Sequence, residues 1–213
     1  MKGIVKKGLE INMNFKEYIE SKKIEQRIAN LATVRKEINL SWVKTKINNF
    51  IKRMGGTFTY EEIYNEILTN DIIAAMFAKD PGRQNISENL VQTYLNISKE
   101  TEDVRFDETG EIYYGYGAQP GLTKNADFCF NGVYITQKYT GENKGGAQDN
   151  QYNDVIQFLT YGSKKQNVGA LVDGWYWDEG GKRKQLEKYF QNNPNVYIFS
   201  ADDYKEYGDD IFV

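Results

Sequence analysis

The hydrophobic rhythm of the chain changes once, near residue 121, and that change limits what it can fold into. Upstream, residues 15–53 contain no proline and place Ile24, Ile28, Leu31, Val34 and Ile38 at three- and four-residue intervals, the spacing of one helix face. Gly55-Gly56 stops that stretch. Thr59 opens a further helix, with Glu62 three positions on as in a capping box and Ile63, Ile67 and Leu68 on the apolar side. The segment DIIAAMFAKD reads as another short helix, Pro81-Gly82 breaks it, and RQNISENLVQTYLNISKE reads as one more amphipathic helix. DVRFDETGEIYYGYG then alternates around Glu108-Thr109-Gly110, a hairpin signal.

Downstream the texture is α/β. NADFCF and GVYITQKYT read as strands joined by Asn131-Gly132, the strongest short hairpin turn. AQDNQYNDVIQFLTYG reads as a helix burying Val155, Phe158 and Leu159. VGALVDGWYW is a strand, GKRKQLEKYFQNN a helix and NVYIFS a last strand. The predicted organisation is a helical region over 1–118, followed over 119–213 by a mixed-sheet αβ domain.

Composition excludes several chemistries. With no histidine in 213 residues, a histidine base and histidine-ligated zinc are both ruled out. Hydrolysis would have to run on carboxylates, lysine and a hard, oxygen-seeking cation. The single cysteine, Cys129, excludes an intramolecular disulfide and a cysteine-rich zinc site. The N-terminal residues lack a secretory pattern and no apolar run is long enough to span a bilayer. The expected compartment is the cytoplasm. A net charge of −3 does not advertise nucleic acid, but binding depends on where charges sit.

Helix, turn, helix, hairpin is the order of a winged helix-turn-helix module. The helix at about 83–98 takes the recognition place, and its first turns carry Arg83, Gln84, Asn85, Ser87 and Asn89. Amides and arginine form paired hydrogen bonds with adenine and guanine edges. An ordinary helical subdomain with a solvated polar face has the same pattern.

Phosphodiester hydrolysis without histidine needs carboxylates to hold a divalent ion, a nearby cation and a rigid frame. Asp127 lies in the first strand of the second hairpin and Lys138 near the end of the other strand, with Asp127 opposite roughly Thr136. The competing reading is a surface ion pair. At these residues, NAD, ITQK and GGAQDNQY, the sequence resembles the PD-(D/E)XK nuclease superfamily, especially the cleavage domains of type II restriction endonucleases. The resemblance covers about residues 121–204. It implies a restriction-endonuclease-like αβ domain behind a winged-helix-like one. It also implies Asp127 as metal-binding acid, Lys138 as the lysine that assists the water, and Gln137 as the residue whose carbonyl contacts the metal. Gln148 and Tyr152 match the spacing of an auxiliary motif found in some branches of the superfamily. The expected ion is Mg²⁺, with Mn²⁺ able to replace it.

Thr136 departs from the pattern, because the family places an acid there. Three readings stand side by side: Glu142 folds back to supply the carboxylate, with Lys144 nearby for DNA; the Gln137 side chain serves instead; or the site is impaired. The expected function is a sequence-specific, Mg²⁺-dependent endonuclease acting on double-stranded DNA as a homodimer. One alternative is a non-enzymatic DNA-binding protein that uses the nuclease-like fold for dimerisation. A protein-interaction module without nucleic acid is the third class.

Overall fold

The computed structural model describes residues 13–79, 87–97, 103–115, 119–141 and 147–212. The protein is a mixed α+β chain that divides into two compact units, Ile19–Ile86 and Met1–Tyr18 with Ser87–Val213. The boundary expected from the sequence is 118/119, whereas the helix beginning at Ser87 and the first hairpin belong with the sheet.

The smaller unit is helical. Helix α1 (Phe15–Lys36) enters it at Ile19 and is followed by α2 (Ser41–Arg53), α3 (Tyr60–Thr69) and α4 (Asp71–Phe77). The expected continuous helix over 15–53 breaks at 37–40. The reason is packing: Val34, Ile38, Val43 and Ile47 all enter one core with Ile63, Ile67 and Phe77, so the chain must fold back on itself. The predicted stripe on α1 is buried only toward its C-terminal end, while Ile24 and Ile28 are exposed. The capping box at α3 forms as expected, with Glu62 N–H donating to Thr59 Oγ1 and Thr59 N–H to Glu62 Oε2. Leu68, expected on the apolar side of α3, is exposed.

The larger unit is built on a four-stranded mixed sheet in the order β3-β4-β5-β6, comprising β3 (Phe128–Phe130), β4 (Val133–Tyr139), β5 (Val168–Asp173) and β6 (Val196–Phe199). β3 and β4 are antiparallel; β4, β5 and β6 are parallel. Asn131 (φ 47°) and Gly132 (φ 80°) both take the positive φ that a two-residue hairpin turn requires. β5 is buried along its whole length, as a central parallel strand should be. Helices α6 (Ala147–Gly162) and α7 (Lys182–Phe190) cover one face, where Val155, Phe158, Leu159 and Leu186 meet Ala170 and Val172. The other face carries α5 (Ser87–Leu95) and α8 (Ala201–Tyr207); α8 is absent from the elements expected above, although Ser200 and Asp203 make a capping box at its start. A 3-10 turn, Gly208–Phe212, follows it.

The first hairpin, β1 (Val104–Phe106) and β2 (Ile112–Tyr114), forms with the predicted turn. It packs into the sheet unit: the ring of Phe106 is fully buried, 5.2 Å from Phe158 and 5.7 Å from Tyr134. Among the described residues no helix is long and apolar enough to cross a membrane.

Gly162 shows how tight this junction is. A Cβ there would stand 2.5 Å from Val168 Cγ1 and 2.8 Å from Phe106 Cε2, both parts of packed, stiff side chains. Helix propensity alone would favour alanine by up to about 1 kcal/mol, but overpacking opposes it by about 1–3 kcal/mol. Gly162→Ala is expected to lower the urea midpoint at unchanged m-value; a rise would show that the junction has slack.

Candidate functional site

The ladder between β3 and β4 ends at Phe128↔Ile135. Asp127 continues it in another way. Its N–H donates to Ile135 O (2.8 Å), and its carboxylate Oδ2 accepts the Gln137 N–H (2.6 Å), taking the role a strand carbonyl would otherwise have. The same Oδ2 accepts the Thr136 hydroxyl (3.3 Å) and lies 3.3 Å from Lys138 Nζ. Lys138 Nζ in turn donates to Thr136 Oγ1 (3.2 Å) and to the Gln137 carbonyl (2.7 Å). Thr136 and Lys138 alternate on one side of β4, the side bearing Tyr134, which packs against the α6 core. The acid and the ammonium therefore converge, each with about a sixth of its side chain exposed: 14% for Asp127 and 19% for Lys138.

Pleat alternation sends the Gln137 side chain the other way. It is buried, and Ser87 Oγ donates to its Oε1 at 3.4 Å. The side-chain option for replacing the missing acid is therefore closed in this geometry, and only the Gln137 backbone carbonyl belongs to the cluster. Ser87, expected to face DNA, faces Gln137 instead. Asn89 is exposed. Arg83, Gln84, Asn85, Glu142 and Lys144 lie outside the described residues. Gln148 is buried in the first turn of α6, the helix covering the Lys138 side. Gln151 Oε1, one turn further along, accepts the hydroxyl of Thr140 just past β4 (2.8 Å).

Thr136 is the residue whose role was not legible in the sequence. A second carboxylate beside Asp127 would set like charges side by side, a repulsion that a dication or a shared proton would have to relieve. The hydroxyl instead donates to the acid and accepts from the ammonium, so the described cluster is neutral as it stands. Its oxygens are nevertheless the hard kind that Mg²⁺ takes. Asp127 Oδ1 takes no hydrogen bond among the described residues, and the Gln137 carbonyl is adjacent to Lys138 Nζ. No group of three or more acids or cysteines suited to a metal ion occurs among the described residues.

A second polar cluster lies on the opposite face of the sheet. Asp173, at the end of β5, is buried and accepts the Ala201 N–H with both oxygens (3.3 and 3.1 Å), so it acts as a cap and not as an open ligand. Asp202 accepts the Phe15 N–H (2.9 Å) and lies 2.6 Å from the Tyr94 hydroxyl. Burial, aided by Asp202, raises the Tyr94 pKa. Arg183 pairs with Asp178 and, at 3.4 Å, with Asp203. Three further lysines are engaged locally: Lys164 donates to Glu108 O, Lys165 pairs with Glu111, and Lys182 stands over the Tyr152 ring at 4.9 Å. In the aromatic run 175–177, Tyr176 and Trp177 are buried core residues. Compared with known proteins, the chain matches no family model, no curated protein and no solved structure.

Burial pushes the Asp173 carboxyl from 3.8 up to about 8; the Arg183 charge and the Ala201 N–H pull it down less strongly, and Asp178 and Asp202 add to the rise. Between those two values the folded chain holds a proton that the unfolded chain has lost. Stability from this group is therefore complete below about pH 4 and declines as pH rises through 8. Asp173→Asn, which keeps an acceptor for Ala201, should show a smaller loss of urea midpoint between pH 5 and pH 8.5 than the wild type. Parallel pH curves for the two proteins would remove the assignment.

Proposed function

We propose that the chain is a Mg²⁺-dependent endonuclease acting on double-stranded DNA, of the type II restriction kind, with its cleavage site at Asp127 and Lys138. The observation that carries this reading is the convergence of a carboxylate and an ammonium at the end of a strand pair, with Asp127 Oδ1 taking no hydrogen bond among the described residues. In this reading the ion is held by Asp127, the Gln137 carbonyl and Glu142. When bound, it offsets phosphate charge and makes water a better nucleophile at neutral pH.

The chain's own residues do the positioning. Three acceptors fix the Lys138 ammonium at 2.7–3.3 Å, so it presents positive charge without reorganising as charge grows on a phosphoryl oxygen. Asp127 is itself fixed by a backbone N–H, which engages Oδ2 and leaves Oδ1 without a hydrogen bond among the described residues. The restriction-endonuclease-like architecture of the sheet domain belongs to the same proposal, supported by the hairpin bearing both residues and the helix that follows it. Cutting both strands calls for two such sites, so the working form is a homodimer.

One observation favours a second reading. Thr136 leaves the described cluster electrically neutral without a metal, as suits a DNA-binding protein that keeps this fold for dimerisation alone. Cleavage separates the two. Purified protein with mixed plasmid DNA and Mg²⁺ or Mn²⁺ should give discrete fragments, abolished by EDTA. Lys138→Met should lower the rate by about 100-fold or more, and Asp127→Asn likewise, with circular dichroism unchanged. Intact DNA under both metals, with binding retained, selects the second reading.

A further inference from the structure

Most described bases in this chain that approach an acid are paired with it: Lys22 with Glu25, Lys23 with Glu20, Arg35 with Asp71, Lys124 with Asp154, Lys165 with Glu111 and Arg183 with Asp178. Helix α2 is different. From Ile38 to Tyr60 the sequence contains no Asp or Glu but holds Lys44, Lys46, Lys52 and Arg53. Lys46 is engaged, donating to the carbonyls of Phe77 (2.9 Å) and Ala78 (2.8 Å) at the end of α4. Lys44, Lys52 and Arg53 are exposed and form no ion pair among the described residues. Exposed Asn48 and Asn49 lie between them along the helix. At 100° per residue Lys44, Asn48 and Lys52 step round the helix by about 40° each and Asn49 and Arg53 continue in the same sense, so the five spread over the solvent-facing half of α2. Val43 and Ile47 point oppositely, into the core.

We propose that the solvent face of α2, made of Lys44, Asn48, Asn49, Lys52 and Arg53, is a DNA-reading surface that enters the major groove of a duplex. The choice of duplex DNA rests on the function proposed above; the face itself is read independently of the Asp127–Lys138 site. Asparagine makes a bidentate pair with adenine, while lysine and arginine toward the two ends of a helix of about 20 Å reach the phosphates flanking the groove. A 13-residue helix fits a B-form major groove, whereas the A-form groove of duplex RNA is too narrow. An anionic membrane is the poorer match, because a membrane-surface helix needs an apolar face to insert, and that of α2 is already buried in its own unit. The helix is also firmly placed. Gly56 N–H bonds Ile51 O (3.0 Å) and Gly55 N–H bonds Lys52 O (3.2 Å), the paired closure that ends a helix cleanly. Unpaired bases on a rigid face keep their charge available to a ligand.

The test measures binding and not cutting. Fluorescence anisotropy of the full chain in EDTA, with a labelled mixed-sequence 30-base-pair DNA duplex, gives affinity against salt. The triple variant Lys44→Gln/Lys52→Gln/Arg53→Gln should bind more weakly and reduce the slope of log K against log salt by about 3. The control Lys124→Gln/Lys165→Gln should leave that slope unchanged. Selection from a random duplex pool should enrich sequences with the wild type, and Asn48→Ala/Asn49→Ala should lower that discrimination roughly 5- to 150-fold while keeping the salt slope. Equal slopes in wild type and triple variant overturn the inference, as does tighter binding to duplex RNA or to phosphatidylserine vesicles than to DNA. Fragments that form equally well in the triple variant would also overturn it while leaving the nuclease reading intact. Salt-sensitive α2 binding without any cleavage would do the reverse.

Discussion

Past the Phe128–Ile135 pair no strand among the described residues lines that edge of β4, and a carboxylate supplies the missing acceptor. Asp127 Oδ2 takes the Gln137 N–H at 2.6 Å, a charge-assisted bond in a place sheltered from water. That bond fixes the carboxylate, the carboxylate fixes Lys138, and Lys138 closes the circle on the Gln137 carbonyl. The cluster therefore belongs to the strand pairing as much as to any chemistry. Removing the acid outright would leave a sheltered N–H and an ammonium both short of a partner, at a cost of about 1–3 kcal/mol for the N–H alone. An isosteric amide keeps the acceptor and removes only the charge. For that reason Asn at 127 reports on function more cleanly than Ala.

The same economy explains Thr136. Two adjacent carboxylates repel, so an ordinary two-carboxylate site needs a dication or a shared proton to relieve it. With a hydroxyl between acid and ammonium, the strand end is balanced in the metal-free chain. A nuclease built this way would hold its ion less tightly than a site with two carboxylates, and its resting fold would not depend on the ion.

Much of the fold was legible in the sequence where a local rule carries the information. Asn131-Gly132, the Thr59–Glu62 capping box and the strand runs around 133–139, 168–173 and 196–199 each encode their own geometry, and Asp127 and Lys138 could be placed together by counting from the turn. What was illegible depended on partners distant in sequence. The break at 37–40 follows from two faces needing one core, and the exposure of Ile24 and Ile28 from where other helices stand. Burial of the first hairpin depends on Phe158 and Tyr134. The direction of Gln137 is a parity effect: one residue along a strand changes the face, so an adjacent amide that reads as a substitute ligand points away from the site.

Net charge illustrates how an average can conceal the relevant quantity. The chain carries 27 Lys and Arg against 30 Asp and Glu, yet residues 19–86 hold eleven bases and only eight acids. The excess of acid therefore lies wholly outside that unit. Screening at physiological salt confines a charge's influence to about 8 Å, so what a polyanion meets at α2 is set by the charges nearby and not by the net charge of the chain. An acidic pI of about 5.3 is no argument against a nucleic-acid ligand when the bases are unpaired and gathered on one rigid face. Local pairing decides which bases remain available: the lysines at 164, 165 and 182 are held by neighbours, and those at 44 and 52 form no ion pair among the described residues.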